Sequence, residues 1–411
     1  MQLLYNLSIY LYVALVRIVA IFNKKAKLWF EGRKNLLEQI KQKVIPGYYI
    51  WIHAASVGEF EQARPLIEKI KAEYPTKKIL VTFFSPSAYE LRKNYELADH
   101  VFYLPADTIS NAKAFLDIVK PEMAIFVKYE FWFNFIQQIH NRHIPLYLIS
   151  GIFRPNQHFF AWYGAWFRKH LSYFTHFFIQ DHTSAKLLRK NGLTNFSITG
   201  DTRFDRVKQH LAKAPRFAPM DQFVGKSKLL LCGSTWPADE KMIAEMLAKT
   251  DLNLKIMVVP HEIGESHIKQ IQKTFQAHNQ ILWTEINENT TLEKTQLIIV
   301  NQMGILMSLY RYASVAYIGG GFGAGIHNIL EAACWAKPIL FGPNYHKFKE
   351  AKDLIALGAA QSIHKASQLQ LNLHHLLQSP DFYQQCSVAS SNYVENNLGA
   401  TEKIFEKCFT I

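Results

Sequence analysis

The chain has 411 residues, which at about 150 residues per domain predicts two to three domains. Its 49% hydrophobic and 19% charged residues exclude a largely disordered chain or a collagen-like fibre. A single long apolar run excludes a polytopic membrane protein. Lysine plus arginine (46) exceeds aspartate plus glutamate (33), giving a net charge of +13. Such a surface suits an anionic partner: nucleic acid, an acidic membrane face or a phosphorylated substrate. Cys232, Cys334, Cys386 and Cys408 are scattered, with no Cys-x-x-Cys pair. That spacing argues against zinc and redox motifs and fits a reducing compartment.

Leu3 to Phe22 is strongly apolar, interrupted by Asn6, Ser8 and Arg17, and is followed by Lys24, Lys25, Lys27, Arg33 and Lys34. A signal peptide has the reverse order, with charges before its apolar core. The run is barely long enough to span a bilayer, and the lysines after it predict a cytoplasmic body. Residues 1–35 are therefore expected to be a membrane anchor with a basic flank, spanning or interfacial. The competing reading is an amphipathic helix packed on the body.

The rest alternates short apolar runs with helix-like stretches. Strands are predicted at Tyr48–His53, Ile79–Phe83, Met123–Val127, Leu146–Ile149 and Phe177–Ile179, with amphipathic helices such as Glu59–Glu73 and Asn111–Val119 between them. The stretch 211–226 has two prolines and no clear period, and reads as a linker. Strands resume at Leu229–Cys232, Ile256–Val259, Leu297–Val300, Ala313–Ile318 and Pro338–Phe341. The expected fold is α/β, with two Rossmann-like doubly wound domains at 36–210 and 227–395 and a C-terminal helix at 396–411. Ligands of such folds sit at the carboxyl ends of the strands, and two domains would offer a cleft there.

Six loops follow predicted strands. In His53-Ala-Ala-Ser56-Val-Gly58-Glu59, small residues open a helix, where free N–H groups favour an anion. Glu59 can be a general base or a carboxylate that complements the helix dipole, and spacing does not choose. Ser85 and Pro86 read as an N-cap and an N1 proline. Lys128-Tyr129-Glu130-Phe131-Trp132 places a charged pair at a strand end, either a site or an internal ion pair. Gly233-Ser234-Thr235-Trp236 is suited to capping or to phosphate capture. Pro260-His261-Glu262 carries a histidine that is either structural or functional. The Gly319–Asn328 glycine run, read as entering a helix with Glu331 one turn in, lets backbone amides surround an anion. It lacks the Lys-Ser/Thr of a P-loop and the downstream acidic residue of a dinucleotide fingerprint. No metal motif and no Gly-x-Ser-x-Gly elbow is present. The segment Phe159–His170 mixes aromatic and cationic residues, as membrane interfaces and buried helices both do.

Together these loops, with Thr82-Phe-Phe-Ser-Pro86, Gly200-Asp-Thr-Arg-Phe-Asp205 and Gly342-Pro343, resemble the Kdo transferases of lipopolysaccharide biosynthesis. Those enzymes move 3-deoxy-D-manno-octulosonic acid (Kdo) from CMP-Kdo to a lipid A precursor. The likeness runs from the N-terminus to about residue 395 and implies a GT-B architecture. It also implies inverting, metal-independent transfer without a cofactor, at the cytoplasmic side of the inner membrane. Glu59 is implied as the base. Donor binding is implied at Arg203, Ser234, Thr235, Pro260, His261, Gly320, Gly321, Gly323, His327, Asn328 and Glu331. Ser56, Gly58, Ser85 and Glu130 are implied at the acceptor or cleft.

Two positions depart from the family. Lys128 stands where many members have the first carboxylate of Glu-x-Glu, and His261 stands where many have an arginine, so that His261 or Arg203 is expected to substitute. The expected partners are CMP-Kdo, a lipid A precursor and the inner-membrane surface, without nucleic acid. The rivals are a GT-B enzyme using another nucleotide sugar and membrane acceptor, and a non-catalytic basic membrane- or nucleic-acid-binding protein.

Overall fold

A computed structural model describes residues 1–409. The chain divides into two compact units, residues 1–206 with the segment from 398 onward, and residues 207–397. Each unit is a seven-stranded, wholly parallel sheet with helices. The first holds β1 (Tyr49–Ala54), β2 (Lys78–Phe83), β3 (His100–Tyr103), β4 (Met123–Val127), β5 (Leu146–Gly151), β6 (His176–Ile179) and β7 (Phe196–Ile198), in the order β3-β2-β1-β4-β5-β6-β7. The second holds β8 (Lys228–Thr235), β9 (Leu254–Pro260), β10 (Gln280–Leu282), β11 (Leu297–Ile299), β12 (Val315–Ile318), β13 (Ile339–Phe341) and β14 (Ala360–Ser362), ordered β10-β11-β9-β8-β12-β13-β14.

Central strands are apolar throughout because helices cover both faces of a parallel sheet. In β1, Tyr49, Ile50, Trp51, Ile52 and Ala54 are all buried. Trp51 packs on Phe115, Phe126 and Phe135 on one side of the sheet. Ile50 and Ile52 join Phe60, Leu66 and Ile67 in the core on the other. The chain reverses its direction across the sheet between β1 and β4 in the first unit, and between β8 and β12 in the second. Crevices at such switch points, at the carboxyl ends of the strands, are where open α/β sheets bind ligands. All six loops singled out above leave the carboxyl ends of strands. Four of them leave the two strand pairs that flank the switch points.

The sequence predicts five strands per unit and the structure has seven. The four additional strands, β3, β7, β10 and β14, are the outer strands of the two sheets. The stretch 211–226 is not an irregular linker. It holds the end of the helix Thr202–Lys213 and the helix Ala218–Val224, whose Met220 and Phe223 are buried. The boundary between units lies at residue 206 rather than 210. The C-terminal helix Ala400–Phe409 belongs to the first unit. Asp205 caps it, accepting from the Gly399 N–H at 2.7 Å and the Thr401 N–H at 2.6 Å, while Ile404, Phe405 and Cys408 enter the core beside Ile50 and Phe60.

The N-terminal helix Gln2–Val19 lies along the first unit and buries none of its residues fully. The residues that interrupt its apolar run all make local contacts. Asn6 accepts from Asn134 at 3.1 Å, Ser8 donates to the Tyr5 carbonyl at 2.7 Å, and the Arg17 guanidinium sits 5.8 Å from the Phe30 ring centre. Tyr5 donates to Asp107, and Tyr12 meets Trp29 edge-on at 5.6 Å. Leu3, Leu4, Leu7, Leu11, Leu15 and Ile18 stay exposed. Their spacing of three and four residues places them on one face of the helix.

Arg33 fastens this segment. Its guanidinium donates to the carbonyls of Leu104 (2.8 Å), Trp29 (3.1 Å) and Phe84 (2.9 Å), and stacks on Trp29 at 4.0 Å and on Tyr103 at 4.9 Å. Arg33→Ala leaves three carbonyls without a donor and removes the stem's packing. We expect a loss of about 2–4 kcal/mol in stability, read by denaturant unfolding, with Arg33→Lys recovering only part of it.

Candidate active site

In the first unit the chemistry begins at the end of β1. His53 is fully buried, so both ring nitrogens need partners. Nδ1 lies 2.9 Å from the Thr82 hydroxyl on β2, which also accepts from Trp51 Nε1 at 2.8 Å. Nε2 donates to Glu130 Oε2 at 3.0 Å, and Trp132 Nε1 donates to the same oxygen at 2.6 Å. This chain of bonds joins the tips of β1, β2 and β4 and fixes the Glu130 carboxylate.

Ser56 opens the helix Val57–Glu73 as its N-cap. Its hydroxyl accepts from the Glu59 N–H at 3.4 Å, and Glu59 Oε2 accepts from the N–H groups of Ala55 (2.7 Å) and Ser56 (3.0 Å). The pair is a capping box, so Glu59 does serve the helix terminus. Both backbone bonds fall on Oε2. Burial, then the nearby Glu130 carboxylate, push the Glu59 carboxyl above the usual carboxylate range; the Ala55 N–H and His53 oppose the shift. Gly58 is exposed, and a Cβ there would meet nothing within 4 Å. The fold itself gives no reason for a glycine at that position. Ser85 is an N-cap followed by Pro86, yet its side chain makes no capping bond. Its N–H donates to the Ala55 carbonyl at 2.9 Å, which puts it beside the Glu59 loop.

Tyr129, half-buried after β4, accepts from Arg154 at 3.1 Å and feels the charges of Arg154, Arg203 and Glu59. Lys128 has a left-handed backbone (φ 64°), with its ammonium 5.3 Å from the Tyr129 ring centre. Glu130, its neighbour in sequence, is engaged by His53 and Trp132. Arg203 lies in this first unit. It pairs with buried Asp201, Nε donating at 2.8 Å and Nη2 at 2.6 Å, and this holds the Asp201 carboxyl below its usual range despite burial. The residues read as donor-binding are therefore divided between the units.

In the second unit the loops after β8, β9 and β12 converge. Trp236, His261 and His327 stack, with ring centres 5.0 Å apart for the first pair and 4.1 Å for the two histidines. Trp236 Nε1 donates to His327 Nε2 at 2.9 Å. Burial, reinforced by His261, pushes His327 down to about 4. Pro260 ends β9 opposite Thr235. Thr235 is fully buried and its hydroxyl donates to Glu240 at 3.0 Å, so it faces the core rather than a ligand. Ser234 adopts a left-handed backbone (φ 54°), and its carbonyl would lie 2.3 Å from a Cβ on Gly319.

The glycine run differs from its sequence reading. The helix after it starts only at Leu330 and has four residues, so no helix terminus points at Gly321–Gly325. Gly320 needs its positive φ of 89°, and a Cβ on Gly321 would strike the Gly342 backbone at 2.6 Å. Those glycines allow the chain to pack on itself. The Gly323 N–H donates to the Gly320 carbonyl at 2.9 Å, while the residue itself is exposed. Asn328 donates to Glu331 at 2.9 Å, bringing these two together.

Asp239 was not singled out from the sequence. Its Oδ2 accepts from the N–H groups of Trp236 and Gly320, both at 2.9 Å, and its Oδ1 accepts from Tyr317 at 2.6 Å. The helix terminus read as a phosphate site is thus occupied by its own carboxylate. A carboxylate three residues after the cap, behind Pro237, is the available sequence signal. Among the described residues no group of three His, Cys, Asp or Glu side chains gathers as a metal site.

Residues 24–206 match the family described as 3-deoxy-D-manno-octulosonic-acid transferase (kdotransferase). The chain is 28% identical over 364 residues to the 3-deoxy-D-manno-octulosonic acid transferase of Rickettsia bellii, covering 87% of this chain and 84% of that protein. Among solved structures, the UDP-GlcNAc 2-epimerase of Neisseria meningitidis superposes with a TM-score of 0.63 at 16% identity, covering 88% of this chain and all of that one. MurG of Acinetobacter baumannii gives 0.57 at 11% identity, over 88% and 99% of the two chains. These likenesses establish a GT-B-type fold. Residues 24–206 thus carry a kdotransferase domain, and the similarity over most of the chain to 3-deoxy-D-manno-octulosonic acid transferases supports a glycosyltransferase.

Proposed function

We propose that the protein transfers Kdo from CMP-Kdo to a lipid A precursor, with inversion and without a metal ion, at the cytoplasmic surface of the inner membrane. The observation that carries this reading is Glu59. Its carboxylate is half-buried at the switch point of the first sheet, raised above the ordinary carboxylate range, and next to an open glycine. A base of that kind suits the deprotonation of a sugar hydroxyl near neutral pH.

In the reaction, the acceptor oxygen bonds to the Kdo anomeric carbon as the bond from that carbon to the CMP phosphate breaks. The proton passes to Glu59, and CMP leaves with the bonding electron pair. The transition state is oxocarbenium-like. The Glu130 carboxylate stands beside Glu59. Arg203, Arg154 and Lys128 supply positive charge near Tyr129, suited to an acceptor phosphate or the Kdo carboxylate. The stacked Trp236, His261 and His327, with Asn328 and Glu331, offer the second unit's face for the nucleotide. His327 stays neutral there and can act as a hydrogen-bonding group without competing for protons.

The N-terminal helix is about 27 Å long at 1.5 Å per residue. It is docked by Tyr5 to Asp107, by Tyr12 to Trp29 and by Arg17 over Phe30, with its leucines outward. A helix fastened along its length to a globular body lies in the interface rather than crossing the bilayer. Trp162, 93% exposed, belongs to the segment whose Trp166 packs on Tyr5, and extends this face. A second reading, a different nucleotide sugar, draws on the GT-B fold alone.

The test is incubation with CMP-Kdo and a tetra-acylated lipid A precursor in anionic vesicles, beside Glu59→Gln, with products analysed by mass spectrometry. Glutamine at this position retains the capping bonds while removing the base. We expect product from the native protein and at least about 100-fold less from the variant. Equal product from both removes Glu59 from the mechanism. Absence of product from the native protein replaces CMP-Kdo by a panel of nucleotide sugars.

The Glu130 charge raises the Glu59 carboxyl, so its removal lowers it. In Glu130→Gln the acidic limb of the kcat/KM profile should move to lower pH, while a limb that stays in place assigns the titration elsewhere. Gly58→Ala should stabilise the helix by roughly 0.5 kcal/mol. The same change is expected to cut turnover by about tenfold or more, because the added methyl intrudes where substrate approaches the helix terminus. Thermal unfolding and initial rates read the two effects separately.

A further inference from the structure

Between the N-terminal helix and the rest of the first unit runs an open cleft of about 360 Å³. Tyr12 and Val16 form one wall, Ala26 and Trp29 the other, and Phe84 and Pro86 the inner end. The three rings touch: Tyr12 meets Trp29 at 5.6 Å, Trp29 meets Phe84 at 5.7 Å, and Tyr12 stacks on Phe84 at 6.3 Å. Such a lining offers apolar surface and few polar partners. A second cleft on the far side of Trp29 is bordered by Arg33, Lys34 and Glu38 and does not reach the catalytic loops.

The cleft joins two surfaces already described. Its inner end adjoins the candidate active site through packed residues: Phe84 packs on Trp132 at 4.8 Å, Trp132 donates to Glu130, and Ser85 is bonded to Ala55. Its outer end opens beside Val19, next to the exposed leucine face of the N-terminal helix. Lys25 and Asn23 stand at the rim. An occupant must therefore be apolar, must reach the membrane-facing side at one end, and must end at the sugar-transfer loops at the other. An ammonium at the rim suits an anionic headgroup.

We propose that this cleft binds one acyl chain of the acceptor lipid, so that the anchor helix is also one wall of the substrate site. The proposal rests on the lipid A precursor reading above. It makes the acyl chain a determinant of specificity: an acceptor whose chain is too short to fill the cleft should show a raised KM.

Two measurements test it. In the first, a tetra-acylated disaccharide carrying a photoreactive diazirine along an acyl chain is irradiated with the full-length protein in vesicles, and labelled peptides are sequenced. Labels on Tyr12, Val16, Ala26 or Phe84 are expected. Labels confined to the outer leucines of the N-terminal helix overturn the proposal, whether or not the protein turns over CMP-Kdo. Labels in the cleft without turnover keep the cleft and fail the donor assignment instead. In the second, Ala26→Trp fills the cleft from a partly buried helix position. The preference in kcat/KM for the tetra-acylated over the deacylated acceptor should fall by about tenfold or more. Should that variant fail to fold, Val16→Phe narrows the opposite wall and is read in the same way. An unchanged preference in a folded variant overturns the proposal.

Discussion

His53 is a buried imidazole at the end of a buried strand, and both of its nitrogens must be satisfied from neighbouring strands. Thr82 on β2 and Glu130 after β4 supply them. That one ring therefore sets the distance between the three strand tips around the first switch point. It fixes Glu130, and Glu130 in turn receives Trp132, orients its indole against Phe84, and biases the Glu59 carboxyl. Breaking a buried pair of this type costs about 3–5 kcal/mol, because the remaining partner is left in the core. Glu59, the inner end of the apolar cleft and the strand tips of the candidate site share this dependence.

The two units use the same local device. In each, an acidic residue at the third helical position turns back on an amide before the helix: Glu59 on Ala55 and Ser56, and Asp239 on Trp236, the latter also accepting from Gly320 of the glycine loop. A helix terminus of this kind is no longer open to a phosphate, since its N–H groups are taken and a carboxylate stands there. Under the proposed transfer, charge neutralisation then falls to side chains in the first unit, and to the ring stack and the outer part of the glycine loop in the second. The net charge of +13 is consistent with that division.

Much of this was legible in the sequence, and the exceptions have physical causes. All ten central strands could be read because a strand covered on both faces must be apolar throughout. The four that escaped notice are the outer ones. His100–Tyr103, Phe196–Ile198, Gln280–Leu282 and Ala360–Ser362 are three or four residues long and only partly buried, so they carry little hydrophobic pattern. The loops stood out as strand ends with small residues. What those residues do did not, because it depends on distant partners. Gly321 is required by Gly342, Thr235 is turned inward to Glu240, and Arg203 is committed to Asp201 in the first unit. The polar interruptions Asn6, Ser8 and Arg17 weakened the apolar run as a span, and the contacts of Asn6 with Asn134 and of Arg17 with Phe30 fasten it to the body.

The return of the C-terminal helix to the first unit bears on how the protein is made. Ile404, Phe405 and Cys408 complete a core whose other members, such as Ile50, Ile52 and Phe60, are synthesised among the first strands. Residues 207–397 are inserted between them and form a unit of their own. At the usual pace of roughly 5–20 residues per second, the ribosome spends on the order of ten to forty seconds on that insertion. During that interval the second unit can close on itself, while the first keeps an uncovered apolar face beside β1. The helix with the exposed leucines is made before the strands of its unit, so under the proposed interfacial reading it can meet a lipid surface while that unit is still unfinished.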